Sequence, residues 1–285
     1  MAASAPDLVS PVGLIAGGGA LPFALADSLA ARGVSSVLFA LRGACDAQKV
    51  ERFRHHWISV GQFGHLTKLL RAEGCRDLVF IGTLTRPALS EIRLDWGTLR
   101  VGREIWAAYR GGDDHLLSGI GRILERDGFR MVGVRDVAPD LLMPAGCLTR
   151  VMADAQAEAD IARGREVLRA LGPFDVGQAV VVIDGHVVGV EDIEGTDGLL
   201  GRIRHLREQG RIRTAAGRGV LVKAPKGGQD LRFDLPTIGA KTIDGAREAG
   251  LAGIAVAAGA TQVADPQAVI AAADSAGLFV TGFSA

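Results

Sequence analysis

The chain is short of almost everything that would commit it to an unusual class. Its three cysteines, Cys45, Cys75 and Cys147, lie far apart and follow no metal-ligand spacing. An odd number of cysteines, with no secretory signal, leads us to expect a reducing cytoplasm. The first residues, MAASAPDLVSP, have neither a basic region nor an apolar core long enough for export. No run reaches the roughly 20 apolar residues needed to span a bilayer. Net charge is zero, with 32 basic and 32 acidic residues, which argues against a protein that holds nucleic acid by bulk electrostatics. Repeats, coiled-coil heptads and low-complexity segments are missing too.

What is present suits ordinary folded domains. Hydrophobic residues make up 48% of 285, enough for sizeable cores, and the length suits two domains. The apolar run Val12 to Ala16 leads into Gly17-Gly18-Gly19-Ala20 and then a helical pattern from Leu21 to Ala31, which is how a βα unit opens. Such a turn leaves helix-terminal amides free to meet an anion. The glycines match neither GxGxxG nor a phosphate-binding P-loop. Ser36 to Leu41 and Leu78 to Ile81 read as further strands, with a helix from Phe63 to Ala72 between them. The third strand runs into Gly82-Thr83-Leu84-Thr85-Arg86. The spacing predicts a doubly wound parallel sheet, with Gly17 to Gly19 and Gly82 to Arg86 on one edge.

Gly111-Gly112-Asp113-Asp114 separates helical stretches from Leu99 to Tyr109 and His115 to Arg126. Asp114 suits an N-cap, which leaves Asp113 as a metal or ribose candidate. Phe129 to Val134 reads as a last strand, and the aperiodic stretch 136–150 as a linker between a Rossmann-like domain, 1–135, and a second domain, 151–285. That second domain opens with a helix from Ala153 to Leu171. Two strands, Ala179 to Ile183 and His186 to Glu191, are separated by Asp184-Gly185 and predict a tight hairpin. The second domain is therefore expected to be α+β. After the hairpin come Glu191, Asp192, Glu194 and Asp197. Thr196 or Asp197 could cap a helix from Leu199 to Glu208, or Glu194 or Asp197 could meet a metal or the basic residues further on. Eight cations lie between Arg202 and Lys226, against the single acid Glu208.

Lys223 to Gly239, KAPKGGQDLRFDLPTIG, is the richest stretch. Lys223, Lys226 and Arg232 are the cations that phosphate oxygens require, and Asp230 and Asp234 are carboxylates able to hold a divalent cation or order a water. A solvated loop, or Asp234 capping a helix after Pro236, is the plain alternative. A sugar-nucleotide or lipid carrier without turnover, and a nicotinamide-dependent oxidoreductase, are further readings.

Taken in order, LIAGGGALP, GDD before a helix, EGTD after a hairpin and KAPK…QD.R.DLPTIG resemble the LpxI-type UDP-2,3-diacylglucosamine pyrophosphatases of lipid A biosynthesis, from Val12 to about Gly282. The resemblance implies hydrolysis of the diphosphate of UDP-2,3-diacylglucosamine to lipid X and UMP, dependent on Mg²⁺ or another divalent cation. It matches the family's catalytic aspartate to Asp234 and implies Asp234 and Asp230 as metal ligands. Substrate contacts are expected from Gly17, Gly18, Gly19, Ala20, Gly82, Arg86, Gly112, Asp113, Thr196, Asp197, Lys223, Lys226, Arg232 and Thr237. It further implies a cytoplasmic enzyme peripheral to the inner membrane of a Gram-negative bacterium, and is compatible with a homodimer.

Overall fold

The structure is a computed structural model and describes Leu8 and residues 11–83, 94–109, 113–174, 176–233 and 235–284; the side chains of 106–109 and 113–115 stay outside that description. The chain divides into two compact units. The first comprises residues up to Leu141 together with Asp230–Asp234; the second comprises Leu142–Gln229 and Leu235–Ala285.

In the first unit the order is β1 (Val12–Ala16), α1 (Leu21–Ala31), β2 (Ser36–Leu41), α2 (Ala47–Val50), β3 (His55–Ile58), α3 (Phe63–Ala72), β4 (Asp77–Ile81), α4 (Trp96–Arg100), α5 (Gly102–Tyr109), α6 (Asp113–Arg126), β5 (Arg130–Met131) and α7 (Val134–Val137). Its strands form one parallel sheet in the order β3-β2-β1-β4-β5. Every residue of β1 is buried, as expected for a parallel strand covered on both faces. One core cluster runs from Phe39 and Leu78 in the sheet to Leu70, Ile123 and Leu124 on the helices, and Phe233 belongs to it. The chain leaves β1 toward β2 on one side and returns to β4 on the other. The loops after β1 and β4 therefore flank the point where the winding reverses, the usual ligand crevice of such sheets.

The second unit contains β6 (Gly146–Cys147), α8 (Ala155–Leu171), β7 (Ala179–Ile183), β8 (His186–Val190), α9 (Gly195–Glu208), β9 (Val220–Lys223), β10 (Thr237–Ile238), α10 (Ala240–Glu248), β11 (Gly253–Ala257), β12 (Gln262–Val263), α11 (Pro266–Ala276) and β13 (Phe279–Phe283). The main sheet has the order β6-β13-β11-β9-β7-β8. Strands β9, β11 and β13 are parallel, and the expected hairpin β7–β8 joins them antiparallel. Alternate residues face opposite layers. Val181, Leu221 and Ile254 pack with α9, α10 and α11, whereas Val180, Val222 and Ala255 pack with Ile161 and Leu168 of α8. At the hairpin turn Asp184 has φ 49° and Gly185 φ 77°, the left-handed pair that a primed turn requires. The fully buried Asp160 carboxylate accepts both turn amides, from Asp184 at 3.0 Å and Gly185 at 2.6 Å.

Several local expectations change. The strand expected over Phe129 to Val134 has two residues, because Gly133 is the N-cap of α7, with its amide donating to Asp136 Oδ2 at 3.0 Å. Asp114 lies inside α6, not before it. Helix α9 begins at Gly195, so Thr196 and Asp197 occupy its first turn and do not cap it. The stretch 136–150 is ordered: Met143 is fully buried and β6 pairs with β13.

Candidate functional site

In the first unit the glycines divide their work. The amides of Gly17 and Gly18 donate to Ile81 O at 2.8 Å and Thr83 O at 2.7 Å, and the Thr83 amide returns to Gly18 O at 2.9 Å. These bonds tie the loop after β1 to the loop after β4. A Cβ on Gly17 would lie 2.3 Å from Thr83 O, and one on Gly82 (φ 92°) 2.5 Å from Gly18 O. Gly17, Gly18 and Gly82 therefore permit close backbone approach, and the first two have no amide left for an anion. Gly19 (φ 90°) and Ala20 are exposed, and among the described residues no acceptor takes their amides. Ala20 is the N-cap of α1 and supplies no capping side chain. The amides of this loop without an acceptor among the described residues are thus those of Gly19 and Ala20, at a helix N-terminus without a capping side chain.

In the second unit Lys223 is not a loop residue. It ends β9 and is only 5% exposed. Its ammonium donates to Thr196 Oγ1 at 2.8 Å and to Thr237 O at 3.1 Å. Thr196 Oγ1 in turn donates to Glu191 Oε1 at 2.7 Å. Lys226 is half-buried, with its amide on Gln229 Oε1 at 3.1 Å. The structure thus brings Lys223, Thr196 and Thr237 together at the carboxyl end of β9, and adds Glu191, one of four acids in a short run of the sequence. Asp197 stands apart on Lys241 at 2.5 Å, and Glu194 on Arg202 at 2.5 Å.

Arg232 is less available than its sequence suggests. Its guanidinium donates to Glu125 Oε1 at 2.8 Å through Nη1 and to Asp230 Oδ2 at 2.8 Å through Nη2, with Nε also on Asp230. The hydrogen bond that Arg232 donates to Asp230 holds Arg232 above its ordinary pKa, and the same bond holds Asp230 below the usual carboxylate range. Both Asp230 oxygens accept from Arg232. The described residues do not fit a divalent cation here: among them no group of three or more His, Cys, Asp or Glu side chains converges. Arg86, Gly112 and Asp234 lie outside the described residues, as does the Asp113 side chain, although Asp113 begins α6.

The basic run is mostly spent inside the fold. Arg204 pairs with Glu248 and Arg218 with Asp184, while Arg207 donates to the carbonyls of Thr214, Arg218, Ala249 and Gly250.

A doubly wound parallel unit with a glycine-shaped switch point, joined in sequence to a mixed-sheet unit with a buried lysine at a strand end, defines a two-domain α/β protein. Residues 11–141 match the model of the LpxI N-terminal domain and residues 144–281 that of the LpxI C-terminal domain. A curated protein, the UDP-2,3-diacylglucosamine pyrophosphatase LpxI of Caulobacter vibrioides (strain ATCC 19089 / CIP 103742 / CB 15), is 43% identical over 271 residues, covering 95% of this chain and 96% of its own. The chain belongs to the LpxI family. Among the described residues no helix is long and apolar enough to cross a membrane.

Proposed function

We propose that this protein hydrolyses UDP-2,3-diacylglucosamine to lipid X and UMP. The observation that carries the reading is 43% identity, over 95% of the chain, to a relative named for that pyrophosphatase activity. One water adds across the phosphoric anhydride: a new P–O bond forms at one phosphorus, and the bridging oxygen leaves with the other phosphate.

The anhydride is dianionic and gathers charge as its bridging bond breaks, so cations aimed at it lower the barrier. Lys223 suits that task because a hydroxyl and a carbonyl accept from its ammonium and help to fix it in place. Lys226, three residues on, offers a second cation. Asp234, matched through the DLP motif, is the residue that orients the attacking water. Helix α10 has Gly239 at its N-cap, so no aspartate before Pro236 is needed there.

A divalent cation, Mg²⁺ by family resemblance, belongs to the proposal without an assigned cradle. The acyl chains of the substrate make the enzyme a peripheral protein of the cytoplasmic face of the inner membrane, and the family resemblance is compatible with a homodimer.

The test is phosphorus NMR of UDP-2,3-diacylglucosamine incubated with the purified protein, with and without EDTA. Asp234→Asn should lower turnover by about three orders of magnitude while substrate binding survives. Wild-type protein that binds the substrate without releasing UMP would support a carrier. Sedimentation with anionic vesicles and light scattering test membrane contact and the dimer.

A further inference from the structure

We propose that Glu191 is a positioning residue for Lys223, acting through the hydroxyl of Thr196. This rests on the reading that Lys223 faces the diphosphate.

Glu191 follows directly on β8 and its side chain is largely buried, at 9% exposed. Its backbone amide donates to Ala179 O at 2.8 Å, which anchors the residue to β7. One carboxylate oxygen, Oε2, accepts from the Gln178 amide at 2.7 Å; the other, Oε1, accepts from Thr196 Oγ1 at 2.7 Å. The same Thr196 oxygen accepts from Lys223 Nζ at 2.8 Å. An ammonium carries only donors, so the single hydroxyl proton of Thr196 must point at Glu191. The direction of the chain is therefore fixed, from ammonium to hydroxyl to carboxylate, and each bond polarises the next.

The three members come from three places: the end of β9, the first turn of α9 and the residue after β8. A lysine on a flexible four-carbon stem is costly to hold in one rotamer, and this relay contributes to the holding beside the Thr237 carbonyl. A role confined to the hairpin needs only Oε2 on Gln178. It leaves Oε1 unexplained, and Oε1 is the atom that accepts from Thr196, the hydroxyl that Lys223 meets.

The test compares Glu191→Gln, Lys223→Ala, the double variant, and the pair Thr196→Ser and Thr196→Val, by kcat and KM on UDP-2,3-diacylglucosamine with melting temperature on the same preparations. Glu191→Gln is expected to lower kcat/KM about tenfold or more, and the double variant to lie within about twofold of Lys223→Ala alone, because coupled residues are non-additive. Thr196→Ser should recover at least about tenfold over Thr196→Val, since it restores the hydroxyl. Losses that multiply in the double variant, or Glu191→Gln with a lowered melting temperature and unchanged kcat/KM, would overturn the inference. If Glu191→Gln does not fold, or the double variant is too slow to measure, the threonine pair decides: equal activities of Ser and Val overturn it. Lys223→Ala with wild-type turnover would instead sink the role given to Lys223, and the relay with it.

Discussion

The ring of Phe233 lies where a side chain at position 121 would have to go: a Cβ built on Gly121 comes within 2.3 Å of Phe233 Cε1. Phe233 also stacks at a tilt on Phe80, with ring centroids 6.0 Å apart. A buried ring pinned from two sides cannot yield cheaply. Gly121→Ala should cost about 1–3 kcal/mol through overpacking. Turnover should fall further than stability, because Phe233 is the chain neighbour of Asp234. Melting and kinetics on one preparation check this, and an unchanged melting curve would refute it.

Gly201 supplies the contrasting case. It lies within α9, and an added Cβ would meet no heavy atom within 4 Å. Gly201→Ala should therefore stabilise by about 0.5–1 kcal/mol, by helix propensity and a less mobile unfolded chain. Denaturant unfolding would measure it.

The N-terminal glycines should separate by role. Gly17→Ala drives a methyl into Thr83 O and should lower the melting temperature by several degrees, consistent with a cost of about 1–3 kcal/mol. Gly19→Ala meets no neighbour and costs only its left-handed backbone, about 1 kcal/mol. Its effect should appear as a raised KM if the Gly19 amide contacts the substrate. Equal effects of both variants on KM and on stability would contradict this division.

The Asp230–Arg232 pair gives a pH dependence whose sign is fixed. The folded-state pKa of Asp230 is depressed, chiefly by the hydrogen bond from Arg232. Its contribution is therefore present above the ordinary carboxylate pKa of about 4 and lost as pH falls through the lower folded value. The pair is partly exposed, so the contribution should stay under about 1 kcal/mol. The difference in melting temperature between wild type and Asp230→Asn should be positive near neutrality and shrink below about pH 4. A constant difference from pH 7 to 3 would contradict it.

Burial, reinforced by Glu73, pushes the Cys75 thiol up to about 11. Thiolate is the reactive form, so Cys75 in the native protein should resist alkylation at pH 8 and react only on unfolding. The same shift stabilises the fold below the ordinary thiol pKa of about 8.5 and is lost as pH rises through about 11. Mass spectrometry of iodoacetamide-treated native and urea-unfolded protein reads the first part.

Long fully buried strands and the hairpin were legible because their signals are local. Val12–Ala16, Ser36–Leu41 and Ala179–Ile183 appear with the bounds their apolar runs suggest. Two-residue strands such as β10 and β12 were not, since their pairing is set by partners distant in sequence. The site was legible in residue types but not in their use. No spacing rule says that Arg232 is paired with Glu125, 107 positions away, or that Lys223 sits inside a strand. Glu191 was hidden as one of four acids within seven positions; only burial singles it out.

The assignment of Asp230–Asp234 to the first unit has a consequence for how this gene could be cut or shuffled. A fragment ending at Leu141 contains every strand of the parallel sheet but lacks Phe233, a member of its core cluster. Expressed alone, it would carry a phenylalanine-sized hole against Phe80 and Gly121. Crossovers that exchange one half between relatives at this boundary would therefore be filtered by how well the incoming pentapeptide fits the resident helix α6, so the two halves inherit their compatibility together.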